Sequence, residues 1–323
     1  MKKLLIASTA LVATAGVAAA DVTLSGTARM GVMYSDANVF RHPVPGMGSS
    51  ADVETRYTLN IDAATQTDAG VEFGARLRIR SNQTNWGTGL QGRTGVNNPY
   101  IYASANGFTV RAGNIIGAIE GMPNLYSASV GLTGINWTGL ASNVIDGTGT
   151  GRFNWDAFSS PGAGVDGLEA VYSMDAFTFH VSASPDRTGV GQSGPRRVAA
   201  HAAYSFEGWT VAVAAQDSSM SGDDLLGITV DGNLGDFGVG AQLFDNDGIT
   251  KGTLYGSVTF DQFTAKAFVA RQQQTPAGLP NVPSRTTFGV GADYDLGGAT
   301  LRGGIVRDEM RTTMADFGVT FSF

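Results

Sequence analysis

Residues 71–80 read VEFGARLRIR. The odd positions, Val71, Phe73, Ala75, Leu77 and Ile79, are all apolar; the even positions are Glu72, Gly74, Arg76, Arg78 and Arg80. A period of two marks a strand with two unlike faces. One face is oily and the other carries three arginines. A soluble sheet would bury the oily face and wet the arginines. A membrane strand around an aqueous lumen would turn the oily face to lipid instead.

The same alternation recurs along the chain. Phe317, Val319, Phe321 and Phe323 alternate with Asp316, Gly318, Thr320 and Ser322. Trp209, Val211, Val213 and Ala215 oppose Thr210, Ala212, Ala214 and Gln216. Leu24, Ala28, Met30, Val32 and Tyr34 oppose Ser25, Thr27 and Arg29. About sixteen segments follow this pattern: 22–34, 52–65, 70–82, 98–105, 108–116, 166–175, 177–184, 196–206, 209–217, 223–233, 236–245, 250–260, 263–273, 285–296, 299–310 and 313–323. Many are longer than the usual globular strand and suit a tilted membrane strand.

The connections alternate between long and short. Long ones lie near 35–51, 83–97, 117–165, 185–195 and 274–284, with shorter members near 218–222, 246–249 and 311–312. Tight turns lie at Gln66–Ala69, Asn106-Gly107, Asp175-Ala176, Glu207-Gly208, Leu234-Gly235, Asp261-Gln262 and Gly297-Gly298. An antiparallel barrel with long outer loops and short periplasmic turns has this rhythm. Lipid leaves backbone polar groups unmet, so a sheet in a membrane must close on itself. Sixteen strands leave a water-filled interior. The expected fold is therefore all-β, a 16-stranded antiparallel transmembrane β-barrel with a long third loop.

A soluble two-sheet protein would also alternate. The number and length of the strands favour the barrel. So do aromatic residues at strand ends (Phe177, Phe206, Trp209, Phe260, Tyr294, Phe323), as in an interface girdle.

Composition narrows the class further. The chain has 323 residues, no cysteine, 45 glycines and a formal charge of −7. Lys2 and Lys3, the apolar run 4–17 and Ala18-Ala19-Ala20 have the layout of a signal peptide over 1–20, leaving 21–323 as the barrel domain. Removing Lys2 and Lys3 from 21 basic residues leaves 19 against 28 acids, which gives no support to nucleic-acid binding. Without cysteine there are no disulfides and no thiol chemistry. The expected location is the outer membrane of a Gram-negative bacterium.

Several stretches are similar to one family. DVTLSGTARMGVMYS resembles the opening strand of the general-diffusion porins of photosynthetic and related alphaproteobacteria, the Rhodobacter-type porins. TDAGVEFGARLRI resembles their second hairpin, and GFTVRAGNIIGAIEGMPNLY their entry into the third loop. YDLGGATLRGGIVRD and ADFGVTFSF resemble their last two strands. The resemblance implies a homotrimeric, water-filled pore for passive diffusion of ions and small hydrophilic solutes. It also implies a third loop, about 117–165 here, that folds inward and narrows the lumen.

Opposed charges at the constriction follow from that resemblance. Glu120, in GAIE, matches the family's loop acid. Asp146 and Asp156 are further loop acids without a motif. Arg29, Arg76 and Arg78 are the expected basic wall, joined by Arg56, Arg80 and Arg111. The alternative for each arginine is a pair with a neighbouring carboxylate on the wall. Family third loops are rich in acids and this one is not, which weakens any cation preference. Its Trp137, Phe153, Trp155 and Phe158 point to packing, with a short helix expected near 114–122.

Other classes have less support. An outer-membrane enzyme needs a base beside a nucleophile or held water. Only His42, His180 and His201 are available, and no serine or acid cluster accompanies them. GTGTGR at 147–152 lacks the lysine and the strand-to-helix context of a phosphate loop. A solute-specific channel is the main alternative, with Trp137 and Trp155 as candidate solute contacts. No cofactor is expected; Asp217, Asp223, Asp224, Asp245 and Asp247 are the candidates for loop-bound calcium. Expected partners are outer-membrane lipid and lipopolysaccharide, and the barrel-assembly machinery reading the terminal Phe323. Two further copies of the chain would approach across small outward residues such as Ala200, Ala202, Ala265 and Ala267.

Overall fold

A computed structural model of the chain describes residues 21–38, 40, 46–82, 93–144, 167–185, 196–219, 223–273 and 284–323. The expected leader over 1–20 lies outside them. Sixteen strands follow one another. They are β1 Asp21–Ser35, β2 Ala51–Gln66, β3 Glu72–Asn82, β4 Arg93–Ala105, β5 Phe108–Gly113, β6 Gly167–Met174, β7 Phe177–Pro185 and β8 Arg196–Phe206. Then come β9 Trp209–Ser218, β10 Leu225–Leu234, β11 Phe237–Asn246, β12 Ile249–Phe260, β13 Phe263–Gln272, β14 Arg285–Asp295, β15 Ala299–Arg307 and β16 Thr313–Ser322. Each pairs antiparallel with its sequence neighbours, and β1 pairs with β16, so the sheet closes.

Closure has a seam with its own reinforcement. Gly26 and Phe323 exchange backbone hydrogen bonds of 2.8 and 3.0 Å. The Phe323 ring stacks on Tyr57 with centroids 5.6 Å apart. Gly26 leaves the room; a Cβ there would meet the Phe323 ring at 2.4 Å.

The oily parity faces outward. Leu24, Ile101, Leu226 and Leu254 are each 62–65% exposed on a single chain. That much open apolar surface is untenable in water and normal in lipid. At the turn end, aromatic residues face each other across strands: Phe108 with Tyr172, Phe177 with Tyr204, Phe206 with Trp209, Phe260 with Phe263. This is the expected girdle on the side of the tight turns. Those turns use left-handed residues, as two-residue hairpins require: Asn106 and Gly107 have φ of 50–80° (51 and 80), and Glu207 and Gly208 have 46 and 80.

Several boundaries differ from the sequence reading, three of them with a visible local cause. β4 begins at Arg93 rather than 98, because a bulge between its two halves shifts the pairing between Arg76 and Arg78. Asn98 there is left-handed, φ 53°, and Pro99 has no N–H. Val96 and Ile101 therefore both point outward although their spacing is odd. β5 ends at Gly113, whose φ of 123° sends the chain into the lumen, so the third loop starts at 114 rather than 117. The third turn of difference is Gly235-Asp236, since Leu234 still pairs with Phe237.

The helix expected near 114–122 does not form; this stretch is a series of turns. Among the described residues the one helical element is the 3-10 turn Trp137–Gly139. Gly117 N, Ala118 N and the Ala118 carbonyl are taken by the barrel wall, which leaves only the isolated turns Gly121 N to Gly117 O and Met122 N to Ile119 O within the stretch.

That loop also supplies the buried core. Ala118, Ile119, Met122, Leu125 and Ala141 pack on Ala199, Ala203, Ala212, Ala214, Leu225 and Phe244 of the wall. Ala128, Val130 and Ile135 pack on Met33, Phe40, Phe268, Ala270, Val306 and Met314.

Candidate functional site

The expected arginines occupy β1 to β5 on the inner parity. Register brings them into rows: Arg29 opposite Arg56, Arg56 opposite Asn82, Asn60 opposite Arg78, and Asp62 opposite Arg76. Two groups result.

Arg29, Arg76 and Arg111 pair with carboxylates. Arg29 Nη2 lies 2.6 Å from the buried Glu54. Arg76 holds Asp62 through two hydrogen bonds of 2.6 and 3.0 Å. Arg111 Nη1 donates to Glu169 at 2.8 Å. Arg76 and Arg111 also stand over the Tyr100 ring at 5.9 and 5.8 Å from its centroid. These three are wall pairs, the alternative weighed for each arginine from the sequence.

Arg56, Arg78 and Arg80 form the second group. Arg56 Nε donates to Asn82 Oδ1 at 2.5 Å, and Arg78 Nε donates to Asn97 Oδ1. Amide partners orient a guanidinium without cancelling its charge. Arg56 has Arg29 and Arg80 within electrostatic reach, and Arg80 has Arg78 and Arg29. Like charges gathered this way create a positive field over one side of the lumen.

The third loop crosses to meet that field. Glu120 lies within electrostatic reach of both Arg78 and Arg80. Asp146 and Asp156 lie outside the described residues. Trp137 packs against Tyr126, with centroids 6.2 Å apart, rather than standing alone; Trp155 lies outside the described residues.

Side chains that the sequence did not single out, together with His201, hold the loop in place. Gly117 N donates to Glu169 at 2.9 Å, and Ala118 N donates to Ser182 Oγ at 2.7 Å. His201 Nδ1 donates to the Ala118 carbonyl at 2.7 Å. Gln242 Nε2 reaches the carbonyls of Asn124 and Leu125 at 2.6 and 3.0 Å. Asp316 accepts from Leu132 N at 2.9 Å, Thr133 N at 2.7 Å and Thr133 Oγ1 at 2.8 Å. The fully buried Lys251 bonds the Asn143 carbonyl at 2.7 Å and the Glu309 carboxylate at 3.3 Å.

Glycines make room for the tip. Val130 and Gly131 lie where Gly291 and Gly304 would carry side chains; a Cβ on Gly304 would come 2.8 Å from Gly131 N. Leu132 fills the space over Gly31 and Gly318, 2.6 and 2.7 Å from the positions a Cβ would take. Four adjacent strands thus offer a glycine notch to one segment of loop.

The histidines serve packing. His180 Nε2 donates to Glu169 at 3.1 Å, and its ring meets that of His201 edge-on, 5.1 Å between centroids. Both are buried beneath the loop. His42 lies outside the described residues. The outer aspartates shape turns: Asp223 binds Arg197 at 2.5 Å, Asp224 accepts from Ser218 N at 2.9 Å, and Asp245 accepts from Gly248 N at 2.9 Å. Among the described residues no group of three acids or histidines is placed to hold a metal.

Comparison with known proteins agrees with this geometry. The family described as Gram-negative porin matches residues 7–313. A porin of Fuscovulum blasticum is 26% identical over 316 residues, covering 94% of this chain and all (100%) of the relative. A porin of Rhodobacter capsulatus is 25% identical over 336 residues, again covering 94% and 100%. Among solved structures, a substituted form of the Rh. blastica porin superposes with a TM-score of 0.76 at 24% identity, covering 94% of this chain and 100% of the other. That likeness speaks for the fold. The family match over nearly the whole chain, together with the closed barrel and its inward loop, makes this chain a member of the Gram-negative porin family: a multi-pass outer-membrane channel protein rather than an enzyme.

Proposed function

We propose that this porin passes ions and small hydrophilic solutes by general, passive diffusion through a lumen narrowed by its third loop. The observation that carries the reading is the placement of Glu120 within electrostatic reach of Arg78 and Arg80. Arg56 completes that basic cluster; Arg29, Arg76 and Arg111 shape the wall through their carboxylate partners. Asp146 and Asp156, further acids of the same loop in the sequence, are included in the proposal as candidate acids. A field across a narrow wet passage orients polar solutes and disfavours apolar ones, and charged rings tune ion preference. With few acids on the loop, ion preference is weak. The reading needs no cofactor.

The same proposal includes a cleaved leader over 1–20, the mature barrel over 21–323, and a homotrimer in lipid and lipopolysaccharide. Outward small residues support close approach of copies: Ala63, Ala75, Ala103 and Ala112 line an apolar depression of about 540 Å³ over β2 to β5. Ala200, Ala202, Ala265 and Ala267 also lie on the outer face. The seam-closing Phe323 is the residue offered to the assembly machinery.

Single-channel conductance of the refolded protein in a planar bilayer, with reversal potential under a salt gradient, tests this reading. Large, weakly selective steps arriving in threes are expected. Small steps blocked by one class of solute would replace general diffusion with a solute-specific channel. A folded barrel without conductance would overturn the channel reading.

A further inference from the structure

The lumen wall holds a hollow of about 190 Å³ between the third loop and the turn-side halves of β10 to β13. It exists because β11 turns two glycines inward. In one row Asn233 faces Gly238, Gly238 faces Ser257, and Ser257 faces Lys266. In the next, Asp231 faces Gly240 and Gly240 faces Tyr255. The Tyr255 ring lies over Gly240, where a Cβ would come 2.1 Å from it. Ser127 and Ser129 of the third loop form the opposite side.

The groups left available are uncharged hydroxyls and an amide beside one carboxylate. Lys266 is paired with Asp293, its Nζ 2.6 Å away, so its charge is largely offset. Asp231 disfavours anions further. The Tyr255 hydroxyl is buried and makes no hydrogen bond of good geometry among the described residues, although Asp231 and Ser127 lie near it. Vicinal hydroxyls both donate and accept, and the seryl hydroxyls and the amide of this wall can do the same. At roughly 30 Å³ per water the hollow holds about six waters, the scale of one small polyol.

We propose that this hollow is a subsite for small neutral polyhydroxylated solutes, of the polyol and monosaccharide class, which pause there during passage. The proposal rests on the channel reading above. Binding is weak, about millimolar, since a conducting path needs sites that release their occupant.

The test is ionic current through the refolded protein in a planar bilayer while sorbitol is raised on either side. A poly(ethylene glycol) of matched size, which accepts hydrogen bonds but hardly donates them, is the comparison. Sorbitol is expected to lower the current saturably and add noise, whereas the polyether lowers it only in proportion to bulk conductivity. Asp231→Asn keeps the shape and loses the charged acceptor; it is expected to raise the half-effect concentration about tenfold, the usual scale of one charge-assisted hydrogen bond. Gly238→Val fills the floor and is expected to abolish saturation. Equal, unsaturable responses to sorbitol and polyether in a conducting channel would overturn the subsite alone. So would a sorbitol response unchanged by Asp231→Asn. A parent protein without conductance would overturn the channel reading, and the subsite with it.

Discussion

Replacing Asp316 by alanine should loosen the tip of the third loop while leaving the barrel closed. The carboxylate accepts from three donors on that tip, Leu132 N, Thr133 N and Thr133 Oγ1, at 2.9, 2.7 and 2.8 Å. It sits on β16 at 5% exposure, and Leu132 is equally buried at 5%. Alanine leaves two amides without an acceptor; the hydroxyl can rotate toward water. Each stranded buried amide costs about 1–3 kcal/mol. Water from the lumen meets part of that need, so a total of about 2–3 kcal/mol is expected. At 1.4 kcal/mol per factor of ten, the opened tip becomes roughly 30–140 times more populated. Leu132 still packs over Gly31 and Gly318, so the change is local opening rather than loss of the fold. Native-state hydrogen exchange reads local opening directly. The amides of Leu132 and Thr133 should exchange roughly 30–140-fold faster, with strand amides unchanged. Single-channel traces should become noisier at the same time. Asp316→Asn, which keeps one acceptor oxygen, should fall between parent and alanine. Unaltered exchange at both amides in Asp316→Ala would refute the latch.

Other outcomes follow from the same geometry. Gly304→Val should displace Val130–Gly131 from the wall, seen as raised conductance or noise, because even a Cβ would lie 2.8 Å from Gly131 N; identical traces would show that the notch is not needed. Changing Arg56 and Arg78 together to glutamine should shift the reversal potential toward cations, by about two-fold in permeability ratio per charge if each acts from ~8 Å through water; a shift toward anions would contradict the proposed field. Lys251→Met strands the Glu309 carboxylate and should cost about 3–5 kcal/mol at neutral pH by denaturant unfolding. Burial already raises the Glu309 carboxyl above its ordinary range, with Lys251 opposing the shift. A carboxyl whose folded pKa lies above its unfolded value contributes its stability below the unfolded pKa and loses it as pH rises through the folded one. The Lys251→Met deficit should therefore shrink on acidification, and a deficit that grows in acid would sink the assignment.

How far the site could be read from the chain differs from residue to residue. All six arginines were legible, since strict alternation in VEFGARLRIR and its neighbours places them on the polar face. Their partners were not. Glu54, Asp62 and Glu169 stand on other strands, 25, 14 and 58 residues from the arginines they meet. Which arginines are cancelled depends on register across strands, and a shift of one residue reverses every face. Arg56 and Arg78 keep amide partners only because Asn82 and Asn97 come directly opposite them.

The third loop shows the same division. Its length between two strand patterns marked it as functional, and its inward course was implied by family resemblance. Its seat was hidden. Apolar residues on the inner parity, such as Phe244, Phe268 and Met33, run against the expectation of a uniformly wet interior. Runs like Val211-Ala212-Val213-Ala214, apolar on both parities, were the available signal that something covers the wall there. Inward glycines at Gly31, Gly291, Gly304 and Gly318 carried a second signal, but a glycine in a strand has several meanings until its neighbour is known.

By itself, then, the sequence determined the strands, their count, their two faces and the rhythm of loops and turns, because these depend on local period and on the chemistry of two unlike solvents. The tertiary structure decided which arginines meet Glu54, Asp62 and Glu169 on neighbouring strands and where the loop lies. It also decided that two glycines on β11 open a hollow beside Tyr255. Those outcomes depend on what stands across the next strand, and closure of the sheet is what sets that neighbour.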